Sequence, residues 1–241
     1  MAIRYAGLAL MVGVLLSFVV PLFVPGYTLI NAVDQTDFRA ARDALGDMPV
    51  LAQWTTFFTL ISLVLMIFGF VGLWPLASRQ DGLGGKLLQF GIIATIIEWS
   101  ILFLSQGIKH FEIHLMQRSN MEAEGSALAA EFEAAALALH MDVTGVSLAF
   151  VALAPIASSM FGLGLAQRFV SMDLLKAACY VLPAGGLIGL LNFMFAMNAP
   201  GVGIQSLLLV NTLVLYIQGV CLIIVGLGMF QERRELSEET Y

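Results

Sequence analysis

Six long apolar segments constrain the fold of this chain more than any other feature of its sequence. A hydrocarbon layer about 30 Å thick is crossed by about 20 helical residues, because an α-helix rises about 1.5 Å per residue. The sequence therefore predicts an all-α, polytopic integral membrane bundle of six transmembrane helices. The predicted spans are residues 5–24, 51–77, 87–108, 145–166, 174–197 and 204–230.

The composition agrees with a membrane protein and limits the partners. Hydrophobic residues make up 59% of the 241 residues and charged residues only 12%, whereas soluble domains carry about 25% charged residues. The six spans leave no room for a soluble domain, so we expect a single transmembrane domain over 1–241 that ends in a tail at 231–241. No basic stripe suits a nucleic acid. The lipid bilayer is the expected partner, with membrane proteins or further copies of the chain as open alternatives.

The basic residues predict the orientation of the bundle. With the N-terminus inside, seven fall on the inner side: Arg4, Arg79, Lys86, Arg168, Lys176, Arg233 and Arg234. Four fall outside: Arg39, Arg42, Lys109 and Arg118. Since Lys and Arg near span ends favour the cytoplasmic side, we expect a bacterial-type inner (cytoplasmic) membrane with both termini in the cytoplasm.

Two long loops on the predicted outer side carry helical patterns. In residues 25–50, Phe38, Ala41, Leu45 and Met48 recur at helical spacing, which predicts a short amphipathic helix. The loop 109–144 is rich in Ala, Leu and Glu and favours a helix that runs into the fourth span. We therefore expect two short helical caps on the outer face.

Glu98 is the candidate functional residue of the membrane interior. It lies near the middle of the third span, where an ionised and unpaired carboxylate costs about 2.5–3.5 kcal/mol or more. One interpretation is a proton relay or a polar anchor in a ligand pocket, and the other is a hydrogen bond that joins two helices. The candidate lining of such a pocket is Glu98, Trp99, Ser105, Asn192, Asn211 and Gln218.

Helical geometry divides the polar residues of the third span and its outer extension into two faces. At about 100° per residue, Ser105, Lys109 and Glu112 lie within about 40° of Glu98 on one stripe. His110 and His114 are rotated by about 120–160° from Glu98 and share a face of their own.

The three histidines form the second candidate site. Antiparallel packing of spans three and four would place His110, His114 and His140 at one level, together with Glu112 and Asp142. Such a set has the donors that a transition metal or a haem requires. A pH-responsive cluster is an alternative, because histidine titrates near neutrality, and ordinary interfacial histidines are another.

From the second span onward, the chain resembles a bacterial family of six-helix membrane proteins of unknown function. The resemblance rests on GLWPLASRQDG at the end of the second span, on IIEW in the third span, and on His140 before a fourth span rich in Gly, Leu and Ala. It implies six helices and draws attention to Glu98 and His140, and it carries no activity.

The sequence leaves three functions open. The first is a non-catalytic protein with a polar pocket around Glu98 that acts as a small-molecule binder, a sensor or an accessory subunit. The second is a membrane enzyme or redox subunit that holds a metal or haem through His110, His114 and His140. The third is a proton-coupled transporter with Glu98 as the proton carrier.

Overall fold

The structure is a computed structural model that describes residues 2–199 and 203–236. All regular secondary structure in that part of the chain is helical. Six of its helices are long and apolar enough to cross a membrane. The predicted fold class, an all-α bundle of six such helices, is therefore confirmed. Residues 237–241 of the predicted tail lie outside the described residues, as do 200–202 of the last turn between spans.

The described residues form eight α-helices. They are α1 (Ala2–Val19), α2 (Phe38–Asp47), α3 (Pro49–Val71), α4 (Trp74–Arg79), α5 (Gly82–Ser119), α6 (Ala127–Ala166), α7 (Leu174–Asn198) and α8 (Gly203–Phe230). A single 3-10 turn, Val20–Phe23, follows α1.

The loops predicted to form helical caps differ in construction. The first contains α2, where the Asp37 side chain accepts hydrogen bonds from the backbone N–H groups of Arg39 and Ala40. These bonds satisfy two of the free donors at the start of the helix. The second loop contains no separate helix. Its helical residues belong to the ends of the two long helices, because α5 continues to Ser119 and α6 begins at Ala127.

The chain divides into two compact units. Unit 1 comprises residues 1–15, 63–100 and 149–241, and unit 2 comprises residues 16–62 and 101–148. Both α5 and α6 contribute residues to each unit.

In unit 1, glycines allow neighbouring helices to pack closely. A Cβ atom at Gly7 of α1 would collide with the Gly226 carbonyl of α8, and one at Gly69 of α3 would collide with Leu10 of α1. Gly164 of α6 lies against the Leu88 backbone of α5 in the same way. Small residues at such crossings let helices gain van der Waals contact in lipid, where the hydrophobic effect does not hold them together.

An aromatic cluster joins α3, α5 and α6 in unit 1. The Phe70 ring centroid lies 4.9 Å from that of Trp99, edge to face, and 4.7 Å from that of Phe161. Both spacings fall in the range that aromatic pairs prefer, about 4.5–7 Å. This cluster fixes Trp99 next to Glu98 on α5.

Asp173 connects the start of α7 to the residues that follow α8. Its carboxylate accepts a hydrogen bond from the Lys176 backbone N–H at 2.9 Å and pairs with the Arg233 guanidinium at 2.7 Å. The Lys176 N–H, and then the Arg233 charge, lower the pKa of Asp173. The stabilisation is therefore present at neutral pH and is lost as the pH falls through the lowered pKa.

Unit 2 has its own small apolar core. Val24, Leu45, Ala52 and Ile113 form one buried cluster that joins the first outer loop, α2, α3 and α5. A second cluster, with Leu115, Met116 and Ala136 at its centre, joins α5 to α6. The extended ends of α5 and α6 are thus packed against protein on one side.

Close packing at Gly164 predicts that a single methyl group will disrupt the α5–α6 crossing. We expect Gly164→Ala to destabilise the protein by about 1–3 kcal/mol, because the new Cβ would overlap the Leu88 backbone. Thermal unfolding in a mild detergent measures the effect. The matched control is Gly107→Ala on α5, where the added Cβ meets no atom within 4 Å and helix propensity favours alanine by about 0.5–1 kcal/mol. Equal shifts of the two variants would contradict the packing.

Candidate functional site

A buried ionisable pair joins α5 to α6 in unit 2. His140 Nδ1 lies 2.8 Å from Glu112 Oε1, and the two side chains are 7% and 0% exposed. The hydrogen bond joins the imidazole Nδ1 to the Glu112 carboxyl group, and the tautomer of the ring decides which of the two atoms carries the proton. Both residues lie beyond the predicted spans 87–108 and 145–166, on the segments of α5 and α6 that belong to unit 2.

The second oxygen of Glu112 has no hydrogen-bond partner among the described residues, although it is fully buried. A buried acceptor without a partner costs about 1–3 kcal/mol, and more when it is charged. Glu112 is therefore held in place by its single bond to His140 and by the packing around it.

Lys109 brings a third ionisable side chain into unit 2. It is only 4% exposed. Its Nζ atom lies 4.4 Å from the centroid of the Tyr27 ring and donates to the Tyr27 hydroxyl at 3.4 Å. The face of an aromatic ring attracts a cation, which gives the buried ammonium group a partner in the first outer loop.

The remaining polar groups of unit 2 tie its helices together. Ser105 Oγ lies 3.0 Å from Ser147 Oγ and so connects α5 to α6. Arg42 of α2 donates to the Glu133 carbonyl of α6 at 3.0 Å and pairs with Asp43. These bonds hold α2 and α6 in place around the Glu112–His140 pair.

A shallow cavity of about 500 Å³ opens on the surface of unit 2. It is lined by Thr36, Asp37, Phe38, Arg39, Leu137 and Met141. The Phe38 ring also lies against the His140 ring, with the centroids 6.1 Å apart. Phe38 therefore separates the buried imidazole from a depression that solvent reaches.

Glu98 is buried in unit 1, with 5% of its surface exposed. The neighbouring Trp99 side chain lies within hydrogen-bonding range of its carboxyl group. The carboxylate therefore faces protein and not the lipid chains.

Three of the other residues predicted to line a pocket with Glu98 have hydrogen-bond partners of their own. Gln218 of α8 donates to the Leu182 carbonyl at 3.1 Å, and Asn192 of α7 donates to the Leu207 carbonyl at 3.5 Å. Asn211 is half-buried on α8, and Ser105 lies in unit 2 with Ser147. The Asn192 and Gln218 amides thus join α7 and α8.

The structure brings together two of the five residues predicted as a metal or haem site. Glu112 and His140 form the buried pair, whereas His110, His114 and Asp142 are exposed. Within residues 2–199 and 203–236, no group of three or more His, Cys, Asp or Glu side chains has an arrangement that could hold a metal ion.

Tyr27 and the burial of Lys109 were not among the features predicted from the sequence. The burial of Lys109 could have been inferred from the helical stripe that it shares with Glu98, Ser105 and Glu112. All four residues of this stripe are buried. Tyr27 gave no such signal, because it lies in a loop without periodicity and more than 80 residues from Lys109.

Comparison with known proteins does not extend these observations. No family model matches the chain, and searches of curated proteins and of solved structures found no match. The chain is a multi-pass membrane protein by its own six apolar helices, and any function has to be argued from its own side chains.

Because Glu112 and His140 form a buried pair, we expect truncation of the His140 side chain to cause a large loss of stability. We expect His140→Ala to destabilise the protein by about 3–5 kcal/mol, because it breaks a buried pair and removes the hydrogen bond that joins α5 to α6. Thermal unfolding in detergent, compared with His110→Ala at an exposed position, measures this effect. We expect the control to lie within about 0.5 kcal/mol of the wild type.

A double variant distinguishes the effect of breaking the buried pair from the effect of lost packing. Glu112→Met combined with His140→Leu removes both polar groups and fills much of the same space, so we expect it to be more stable than His140→Ala. If His140→Ala and His110→Ala unfold at the same temperature, the buried pair is not present in the membrane protein.

Proposed function

We propose that the protein is a non-catalytic membrane sensor whose proton-responsive element is the Glu112–His140 pair. The observation that carries the proposal is the burial of this pair, 2.8 Å apart and almost without solvent contact, on two helices that continue into the predicted spans. Histidine is the side chain whose charge changes near neutral pH. A change of charge at a buried site alters the forces between the helices that enclose it.

We further propose that the protein resides in a bacterial-type inner membrane with both termini in the cytoplasm. The excess of Lys and Arg in the shorter loops supports this orientation. Glu112 and His140 would then lie on the extracytoplasmic side and would respond to the pH of that compartment. Lipid is the immediate surrounding, and a membrane protein partner or a second copy would receive the signal.

The charge of His140 decides how strongly α5 and α6 are joined. When the imidazole is protonated, it donates a charge-assisted hydrogen bond to Glu112, and such bonds are roughly twice as strong as neutral ones. When the imidazole is neutral, its hydrogen bond to Glu112 loses this charge assistance, and the contact between α5 and α6 weakens. Unit 2 is therefore expected to be tightest on the acid side and to loosen as the pH rises.

A second candidate function is centred on Glu98, as a proton carrier or as the polar anchor of a pocket. Its burial against protein in unit 1 supports this alternative, since an acid at membrane depth usually serves a proton or substrate path. The metal or haem enzyme has less support, because His110 and His114 are exposed and apart from the buried pair.

Hydrogen exchange of the protein in lipid nanodiscs tests the two candidates. We expect protection factors in residues 101–119 and 127–148, corrected for intrinsic exchange, to fall about three- to tenfold between about pH 5 and pH 8. His140→Gln should remove this dependence, and the matched control His114→Gln, at an exposed position of α5, should retain it. Glu98→Gln should also retain it.

The outcomes distinguish the candidates. A wild-type protein with the same protection at both pH values would refute the sensor. A response that survives in His140→Gln but disappears in Glu98→Gln would favour the second candidate.

A further inference from the structure

We propose that Lys109 exchanges between two partners, Tyr27 and Glu112, and that the charge of His140 selects the partner. The inference rests on the proposed sensor and identifies how the buried pair would act on the first outer loop. In this structure the Lys109 ammonium group lies on the Tyr27 ring.

The alternative partner is within reach and has a free acceptor. Lys109 and Glu112 are three residues apart on α5, a spacing at which side chains on a helix meet. Glu112 Oε2 is fully buried and has no partner among the described residues. A Lys109 side chain that turned toward Glu112 would therefore supply the missing hydrogen bond and form an ion pair.

Charge balance determines which arrangement is favoured. With His140 protonated, Glu112 is already neutralised and the imidazolium repels a second cation, so Lys109 stays on Tyr27. With His140 neutral, Lys109 and Glu112 are the two opposite charges of the buried group, and their attraction is strong because burial lowers the effective dielectric constant. In this scheme, the contact of Lys109 with Tyr27 belongs to the form with a protonated His140.

The other charged groups around His140 do not replace Lys109 in this scheme. On α2, Arg42 is paired with Asp43, while Asp37 caps the helix and Arg39 is exposed. On α6, Asp142 is exposed. The parts of α1 and α3 in unit 2 contain no ionisable side chain, since residues 16–24 and 49–62 include none.

The exchange would change the surroundings of Tyr27, which is a partly exposed residue. It is 42% exposed and lies in a loop held by local bonds, including that from Gln35 Nε2 to the Gly26 carbonyl at 2.7 Å. When Lys109 turns to Glu112, Tyr27 loses its cation. Deprotonation of His140 would thus release a surface aromatic residue on the loop, where a partner could contact it.

Nuclear magnetic resonance of the full chain in nanodiscs, with ¹³C in the tyrosine rings, tests the exchange. The chain has five tyrosines, and Tyr27→Phe identifies the resonance of Tyr27. We expect that resonance to move between about pH 5 and pH 8 and to reach, at high pH, the position found in Lys109→Met. In Lys109→Met and in His140→Gln the movement should be lost, and Tyr180 in unit 1 should not move in any variant.

The result separates this inference from the proposed function. A stationary Tyr27 resonance in a protein whose hydrogen exchange still depends on pH and on His140 would overturn the Lys109 exchange and leave the sensor intact. A Tyr27 movement that persists in Lys109→Met would also overturn it. Loss of both responses in the wild type would refute the sensor and the exchange together.

Discussion

The hydrogen bond between Glu112 and His140 is the interaction on which our account of this protein depends. Both side chains are buried beyond the predicted spans, where a folded chain gains little by enclosing charge unless the charge is paired. The bond joins α5 to α6. The Phe38 ring of α2 lies against His140, and Arg42 ties α2 to α6. Unit 2 is therefore organised around an ionisable group, whereas unit 1 is organised around glycine crossings and aromatic contacts.

Glu98 and the Glu112 of the buried pair lie on one helix, α5. This helix runs without interruption from Gly82 to Ser119, and it carries Glu98 in unit 1 as well as Lys109 and Glu112 in unit 2.

Much of the fold could be predicted from sequence because lipid permits few solutions. Apolar segments of sufficient length must close their backbone hydrogen bonds as helices, and the six predicted spans correspond to helices of the structure. The short helix near Phe38 was predicted from its periodicity, and α2 confirms it. The helical geometry of the third span and its extension also predicted that Glu98, Ser105, Lys109 and Glu112 lie on one stripe. All four residues are buried. The pairing of His140 with Glu112 alone, and the contact of Lys109 with Tyr27, depend on how helices and a loop pack, which no local pattern encodes.

Solid-state magnetic resonance of the protein in liposomes tests the pair most directly. With ¹³C in glutamate carboxyl groups and ¹⁵N in histidine rings, the N–O separation of 2.8 Å predicts strong dipolar dephasing of one carboxyl signal by one imidazole nitrogen, and its loss in His140→Gln. If no carboxyl signal dephased, or if the dephasing persisted in His140→Gln, Glu112 and His140 would not be paired in the membrane and the account would be wrong.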